Sequence, residues 1–404
     1  MNKAESQRLG SLFQQLGYQP TIVADEADLI VLNSCVVRQS AEERVINKIR
    51  ALEQLKQSHP ALRLALTGCL VDSDLPGLKK RFPHVDYFLK PGEQPQWLGK
   101  TKSAILSGQP QVSTFVPIMQ GCDNFCSYCV VPYRRGREKS RLVAEIVSEV
   151  RELVKAGVKE VVLLGQNVDS YGNDLPDKPD LTDLLYELND IDGLARIRFL
   201  TNHPKDMGDR LIGAIAQLGK VCEQINLPVQ SGDDDILKAM KRDYTAGQYR
   251  RLVKRLRERV PQIALSTDVI VGFPSESEEQ FMATAELLRE MRFDNVHSAA
   301  YSSRPGTVAA DEYEDNIPTA VKKERLNVIE QLQAEIATEI NTRLLGKIIE
   351  VLIEGRKKGK WHGRSRSGKI VFFTSRDNLL GQLVKVRIVK TSPWSLQGEV
   401  IKDK

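Results

Sequence analysis

Long apolar runs are absent from this sequence. The stretch 161–165 is typical of its longest, far below the roughly 18 residues that a membrane-spanning helix needs. The opening residues Met1-Asn2-Lys3-Ala4-Glu5-Ser6 are polar and lack the apolar centre of a secretory signal. These absences lead us to expect a cytoplasmic protein with no membrane partner. Histidine occurs only five times and cysteine six times. In a reducing cytosol, clustered cysteines speak for metal binding or catalysis rather than for disulfides. No internal repeat and no low-complexity segment interrupts the chain.

What is present is a globular composition: 27% charged and 41% hydrophobic residues over a length of 404. At about 100–200 residues per domain, that length predicts two to four domains. The net charge of +5 is unevenly spread. Residues 341–404 carry 15 basic and 5 acidic side chains, whereas the rest carries 43 basic and 48 acidic ones. A basic module on a slightly acidic body is the electrostatic signature of phosphate-backbone binding, with a solvated lysine-rich surface as the plainer alternative.

The pattern divides into three segments of an α/β chain: 1–100, 111–335 and 341–404. In the first, helical spacing over 5–16 and 41–57 alternates with strand-like runs at 28–33 and 62–67, the signature of an α/β layer with a parallel sheet. Pro91, Gly92, Pro95, Gly108 and Pro110 then mark a linker. The second segment repeats strand-then-helix about six times. Strands are expected at 114–119, 160–164, 197–200, 224–228, 263–271 and 295–300, and helices at 144–156, 182–188, 233–240, 248–259 and 277–291. This spacing predicts an open, partial (β/α)6 barrel, whose chemistry should sit at the C-terminal ends of its strands: Gly165, Gln166, Asn167, His203, Gln230, Ser231, Asp268 and Tyr301. A long helix over 322–343 follows. Short strands at 348–353, 369–373, 383–389 and 398–401 then predict a small β-barrel.

The cysteines are the most specific feature. Cys122, Cys126 and Cys129 form C-x3-C-x2-C immediately after the first barrel strand. Three thiolates this close can hold a cubane [4Fe–4S] cluster by three irons, leaving the fourth open to a small molecule. A structural zinc site is the alternative, although zinc favours four ligands and no fourth cysteine or histidine follows here. Cys222 matches no motif and is expected to be a buried structural thiol.

The string from Met119 through Gly121-Cys122-Asp123-Asn124-Phe125-Cys126-Ser127-Tyr128-Cys129 to Val130-Val131-Pro132-Tyr133 resembles the radical S-adenosylmethionine (SAM) enzymes, and among them the methylthiotransferases. The basic run Arg134-Arg135-Gly136-Arg137-Glu138-Lys139-Ser140-Arg141 continues the resemblance. So do Thr201-Asn202-His203-Pro204, Leu227-Pro228-Val229-Gln230-Ser231-Gly232, Asp268-Val269-Ile270-Val271-Gly272-Phe273-Pro274 and Tyr301-Ser302-Ser303-Arg304-Pro305-Gly306-Thr307. It covers essentially the whole chain as an N-terminal methylthiotransferase domain, a radical SAM domain and a C-terminal TRAM domain. The resemblance implies that the cluster on Cys122, Cys126 and Cys129 chelates SAM and delivers an electron that yields a 5′-deoxyadenosyl radical. The electron must come from a low-potential donor. Gln166, Asn167, Gln230, Ser231 and Asp268 are expected at SAM; for each, an ordinary loop hydrogen bond is the alternative.

The resemblance also implies a second, auxiliary [4Fe–4S] cluster in the first domain, where sulfur is delivered. Cys35 and Cys69 each follow a strand, where an α/β sheet exposes ligands, and are expected to hold it. The family's third cysteine falls immediately ahead of a Met-Asn pair, a position before this chain's Met1-Asn2. The family's first strand is likewise expected upstream, with Met1 an internal methionine or, alternatively, the start of a truncated copy.

In the basic module, Trp361-His362-Gly363-Arg364-Ser365-Arg366-Ser367-Gly368-Lys369-Ile370-Val371-Phe372-Phe373 resembles the TRAM domains of tRNA-modifying members. Arg364, Arg366 and Lys369 are expected to meet RNA phosphates. Trp361 and one phenylalanine either stack on bases or pack, since Phe372 and Phe373 cannot face the same way in a strand. The implied partner is the anticodon stem-loop of tRNA, and the implied substrate is isopentenylated adenosine next to the anticodon, methylthiolated at ring carbon 2. Threonylcarbamoyl adenosine at the same place and an aspartate of a ribosomal protein are alternative substrates. A non-catalytic zinc-containing RNA-binding protein is the alternative of another class.

Overall fold

A computed structural model describes residues 1–36, 39–71, 75–90, 93 and 111–401. The linker expected around Pro91, Gly92, Pro95, Gly108 and Pro110 lies outside the described residues. The first unit runs α1 (Asn2–Gln15), β1 (Leu29–Ser34), α2 (Gln39–Ser58), β2 (Arg63–Gly68), α3 (Leu75–Arg81) and β3 (Tyr87–Phe88). Its three strands are parallel in the order β1-β2-β3. The outer edge of β1 has no strand partner among the described residues, and Leu29, Ile30 and Val31 are only half-buried there.

The second unit begins with β4 (Ser113–Pro117) and β5 (Met119–Gln120), followed by α4 (Val131–Arg135), β6 (Lys139–Ser140) and α5 (Val143–Lys155). It continues through β7 (Glu160–Leu164), α6 (Leu181–Asn189), β8 (Arg196–Phe199), α7 (Asp209–Gln217) and β9 (Gln224–Asn226). Then come α8 (Asp234–Ala239), α9 (Ala246–Arg259), β10 (Ala264–Val271), α10 (Glu278–Met291), β11 (Asn295–Ala300), α11 (Val308–Glu312) and α12 (Thr319–Thr342). Two parallel three-stranded sheets, β4-β7-β8 and β9-β10-β11, meet at a bridge between Ile197 and Val221. The result is an open arc of six strands, close to the boundaries the alternating pattern predicts.

Local chemistry explains these elements. All five residues of β7 are buried, as expected for a parallel strand covered on both faces. Ile146, Val147, Val150 and Leu153 place the apolar face of α5 on the core. Capping boxes start α6 (Asp180, Asp183), α9 (Thr245, Gln248) and α10 (Ser277, Gln280). The nine-residue α7 was not among the expected helices; Gly213 in its middle lowers its helix propensity.

The third unit is a closed barrel of β12 (Ile348–Lys357), β13 (Lys360–Ser365), β14 (Ile370–Phe373), β15 (Leu383–Thr391) and β16 (Leu396–Val400). It has five strands where four were expected. The strand missing from that list is β13, whose basic residues and glycine mask its alternation: Trp361, Gly363 and Ser365 face inward. Trp361 and Phe373 are core residues, whereas Phe372 faces the other way beside the His362 ring.

Buried charge joins this barrel to the strand arc. Arg196 and Arg198 lie on the same side of β8. Arg196 donates to the Arg364 carbonyl (2.6 Å) and to Glu350 (2.9 Å). Arg198 pairs with Glu160 (2.8 Å) and donates to the carbonyls of Ser365 and Arg366 (both 2.7 Å). The β13–β14 turn thereby seats on the N-terminal ends of the arc. Gly368 at its tip has φ +76°, a backbone conformation that favours glycine, and it packs on the amide of Gln224.

The Arg198–Glu160 pair is almost wholly buried, with side-chain exposures of 6% and 2%. Removing one partner of such a pair costs about 3–5 kcal/mol. Arg198→Met should therefore lower the thermal midpoint and open the segment after α12 to protease. Arg210→Ala, at the exposed pairs with Asp180 and Asp183, should change stability by no more than about 1 kcal/mol. Equal effects of the two would contradict the anchoring role of Arg198.

Candidate cluster site and its cavity

The loop between β5 and α4 carries three cysteines and is fixed from several sides. β5 pairs antiparallel with β6. Gly121 then takes φ +84°, and a Cβ at this position would lie 1.9 Å from the Arg137 carbonyl oxygen. The Cys122 amide donates to the Gly136 carbonyl (3.2 Å), and the Cys129 amide turns back onto the Cys126 carbonyl (2.9 Å). Ser127 is the central anchor. Its amide donates to Met240 O (3.0 Å) and its hydroxyl to Ala239 O (2.7 Å), while its carbonyl accepts from the Ala309 amide (2.7 Å).

Cys122, Cys126 and Cys129 line one cavity of about 1500 Å3 that runs through the arc. Burial and the neighbouring thiols push the Cys129 thiol up to about 12; burial pushes Cys122 up to about 11. Burial that opposes bare thiolates is offset when the thiols coordinate a metal cation, and iron would do so here. Among the described residues no three Cys, His, Asp or Glu side chains converge as ligands of a single ion would. The ligands of a cubane differ in that each takes a separate iron. The donor set therefore fits a [4Fe–4S] cluster.

Of the strand-end residues, Gly165, Gln166, His203, Gln230, Asp268 and Tyr301 line this cavity, whereas Asn167 and Ser231 do not. Gln166 Oε1 accepts from the Gly121 amide (2.7 Å), tying strand end to cysteine loop. Asp268 accepts from Asn226 Nδ2 (2.8 Å). Asn167 is buried with its amide donating to Asp206 (2.7 Å). Ser231 is fully buried, near the Thr284 hydroxyl (3.3 Å) and accepting from the Asp233 amide (3.2 Å). Gln230 and Thr201 adopt φ +69° and +74°; such strain in non-glycine residues gathers at functional sites. Burial, with Arg242 and Lys205 nearby, pushes His203 down to about 2. Its ring is therefore neutral, its Nδ1 accepts from the Lys205 amide (3.2 Å), and its approach to Asp206 at 3.9 Å is no ion pair.

Cys35 and Cys69 follow β1 and β2. The Cys69 amide donates to Ser34 O (3.0 Å). Cys69 lines the same cavity as the three loop cysteines, and Cys35 does not. The Met1 amino group lies within electrostatic reach of both thiols. Arg135, at the end of α4, donates to Cys69 Sγ (3.3 Å) and to Asn2 Oδ1 (2.7 Å), so the first unit docks on the helix that follows the cysteine loop. Cys222 is buried outside the cavity.

At the far end of the cavity stand Arg364 and Lys369. Arg364 pairs with Glu354 (3.2 Å) and Lys369 with Asp294 (2.6 Å). Arg366 is placed otherwise than an RNA contact would be. Its Nε and Nη2 bond Glu223 (both 2.8 Å), and its Nη1 bonds the Gly219 carbonyl (2.9 Å). These contacts hold the third unit on the second. The sequence reading did not single out Arg242, Tyr128 or Trp394, which also line the cavity. Tyr128 lay inside the cysteine motif and was legible there; no local signal marked the other two.

Three family models match the chain: the Radical SAM superfamily over 116–288, Uncharacterized protein family UPF0004 over 1–90, and the TRAM domain over 342–401. The chain is 56% identical over 401 residues to a tRNA-2-methylthio-N(6)-dimethylallyladenosine synthase of Dehalococcoides mccartyi, covering 99% of this chain and 96% of that protein. A protein of the same name from Chloroflexus aurantiacus is 48% identical, with 98% and 89% covered. Among solved structures, the radical S-adenosylmethionine methyltransferase TsrM from Kitasatospora setae superposes with a TM-score of 0.53 at 14% identity, covering 82% of this chain and 68% of that one. This last likeness is one of fold.

Alanine at any one of Cys122, Cys126 or Cys129 should abolish retention of the roughly four irons of this cluster after anaerobic reconstitution. Cys222→Ala should retain them. Iron and sulfide analysis checks this, and unchanged iron binding at the loop in Cys126→Ala would contradict the assignment.

Proposed function

The chain belongs to the radical SAM superfamily and, within it, to the family of the tRNA-2-methylthio-N(6)-dimethylallyladenosine synthases; from this premise we propose that it transfers a methylthio group to ring carbon 2 of the dimethylallylated adenosine beside the anticodon of tRNA. The observation that carries the reading is a shared cavity: the three loop cysteines, Cys69, and Arg364 and Lys369 of the TRAM domain all face it. When bound at Cys122, Cys126 and Cys129, a [4Fe–4S] cluster supplies the electron that cleaves SAM reductively.

The protein's own residues position and shield. Gln166 holds the loop at Gly121 through its carbonyl oxygen, leaving its amide N–H groups for a polar group of SAM. Gln230 and Asp268 offer further polar atoms at neighbouring strand ends. Asn167 acts from behind this wall through Asp206, and Ser231 from behind it through Thr284. Cys35 and Cys69 would hold an auxiliary [4Fe–4S] cluster together with a ligand from outside this pair. Arg364 and Lys369 meet RNA phosphate, for which each must loosen a partly exposed ion pair. A low-potential electron donor completes the reaction in the cytoplasm. No helix of the described residues is long and apolar enough to cross a membrane.

The test is an anaerobic assay with dimethylallyl-bearing tRNA, read by the mass of the released nucleoside. Cys122→Ala should lose both SAM cleavage and the methylthio product. Cys35→Ala should keep SAM cleavage and lose the product; product retained in Cys35→Ala would sink the auxiliary role. Modification of threonylcarbamoyl adenosine in place of dimethylallyl adenosine would overturn the substrate assignment.

A further inference from the structure

Arg242 is 7% exposed, yet none of its contacts is a carboxylate. Its Nη1 donates to Cys126 Sγ (3.4 Å), its Nη2 to the Pro228 carbonyl (3.0 Å) and its Nε to the Tyr244 hydroxyl (2.9 Å). The strongest electrostatic influences on it come from Tyr128, Tyr244 and Cys126, and it acts in turn on Cys129 and His203. Tyr128 and Tyr244 carry phenols, which are neutral at neutral pH, so neither supplies a negative charge. A buried guanidinium without an anion is expensive. Of its hydrogen-bond partners, the sulfur of Cys126 is the one that would supply the missing charge, on ligating iron.

The guanidinium is also held rigidly. Tyr244, whose ring lies under it with the guanidinium carbon 5.1 Å from the ring centroid, is itself fixed by the Pro228 and Val229 carbonyls (3.1 and 2.9 Å). The Cys126 loop is pinned through Ser127 to the end of α8, only a few residues before Arg242. Cation and thiol therefore share one rigid frame. Reduction adds a negative charge to a cluster, and a fixed cation with an N–H···S bond stabilises the reduced state and raises the potential.

We propose that Arg242 is a positioning residue that sets the reduction potential of the cluster by donating a hydrogen bond to the Sγ of Cys126. The inference rests on the cluster reading above and deepens it. Arg242 controls how readily the electron donor can load the cluster and leaves the identity of the transferred group untouched. A purely structural Arg242 would affect folding or cluster retention but not the potential of clusters that are retained.

The experiment is a redox titration followed by electron paramagnetic resonance on the reconstituted full chain, comparing wild type, Arg242→Gln and Arg242→Lys at matched iron per chain. Arg242→Gln should shift to a more negative midpoint, and Arg242→Lys should fall between it and wild type. Wild-type potential in Arg242→Gln overturns the proposal. If Arg242→Gln fails to fold or load, wild type labelled with 15N-arginine decides, because pulsed spectroscopy of its reduced cluster should show hyperfine coupling to a guanidinium nitrogen. Absence of that coupling overturns the proposal. A wild type that takes up no iron overturns the cluster reading, and this inference with it.

Discussion

Buried charge organises this molecule. An open strand arc exposes a polar lumen, and guanidinium groups bonded to carboxylates and backbone carbonyls close it. Arg198 on Glu160 and Arg196 on Glu350 bind the third unit's turn from one side, and Arg366 on Glu223 returns the grip from the other. Such pairs contribute little net stability compared with apolar packing, but breaking one of them is costly. Their effect is to fix one arrangement of the units. That arrangement makes a single cavity out of residues supplied by all three.

The same logic operates at the cysteine loop, with the signs reversed. There burial, with the neighbouring thiols at Cys129, opposes the thiolate form. Coordination of iron by these thiols would resolve the conflict, and Arg242 stands behind one sulfur. Arg135 makes an analogous approach to Cys69 from the helix that follows the loop. The geometry thus brings the two thiol groups of the chain to opposite ends of a short helical segment. A sulfur-delivery step and a radical-generating step would need that proximity.

Much of this was legible in the sequence, because strand–helix alternation and cysteine spacing are local signals. The six strands of the arc fall within a few residues of expectation, and C-x3-C-x2-C marks its own loop. What was not legible depends on contacts between distant residues. Arg366 looks like an RNA contact until Glu223, 143 positions away, is seen to occupy it. Whether Trp361 stacks on bases or packs is open in the sequence and is decided only when the barrel closes around it. Arg242 lies 116 residues from Cys126, so no spacing rule would pair them. Ser231 and Asn167 sit at the right strand ends but point into packed surroundings, a distinction that neighbouring helices make and a motif cannot.

The claim on which the account depends is that Cys122, Cys126 and Cys129 alone suffice to hold a cluster with an open coordination site facing the cavity. Anaerobic reconstitution of the Cys35→Ala/Cys69→Ala double variant isolates that site. The account predicts about four irons per chain and a reduced-state paramagnetic signal that changes when SAM is added. A protein that stays colourless and binds a single zinc, or a cluster signal indifferent to SAM, would contradict it.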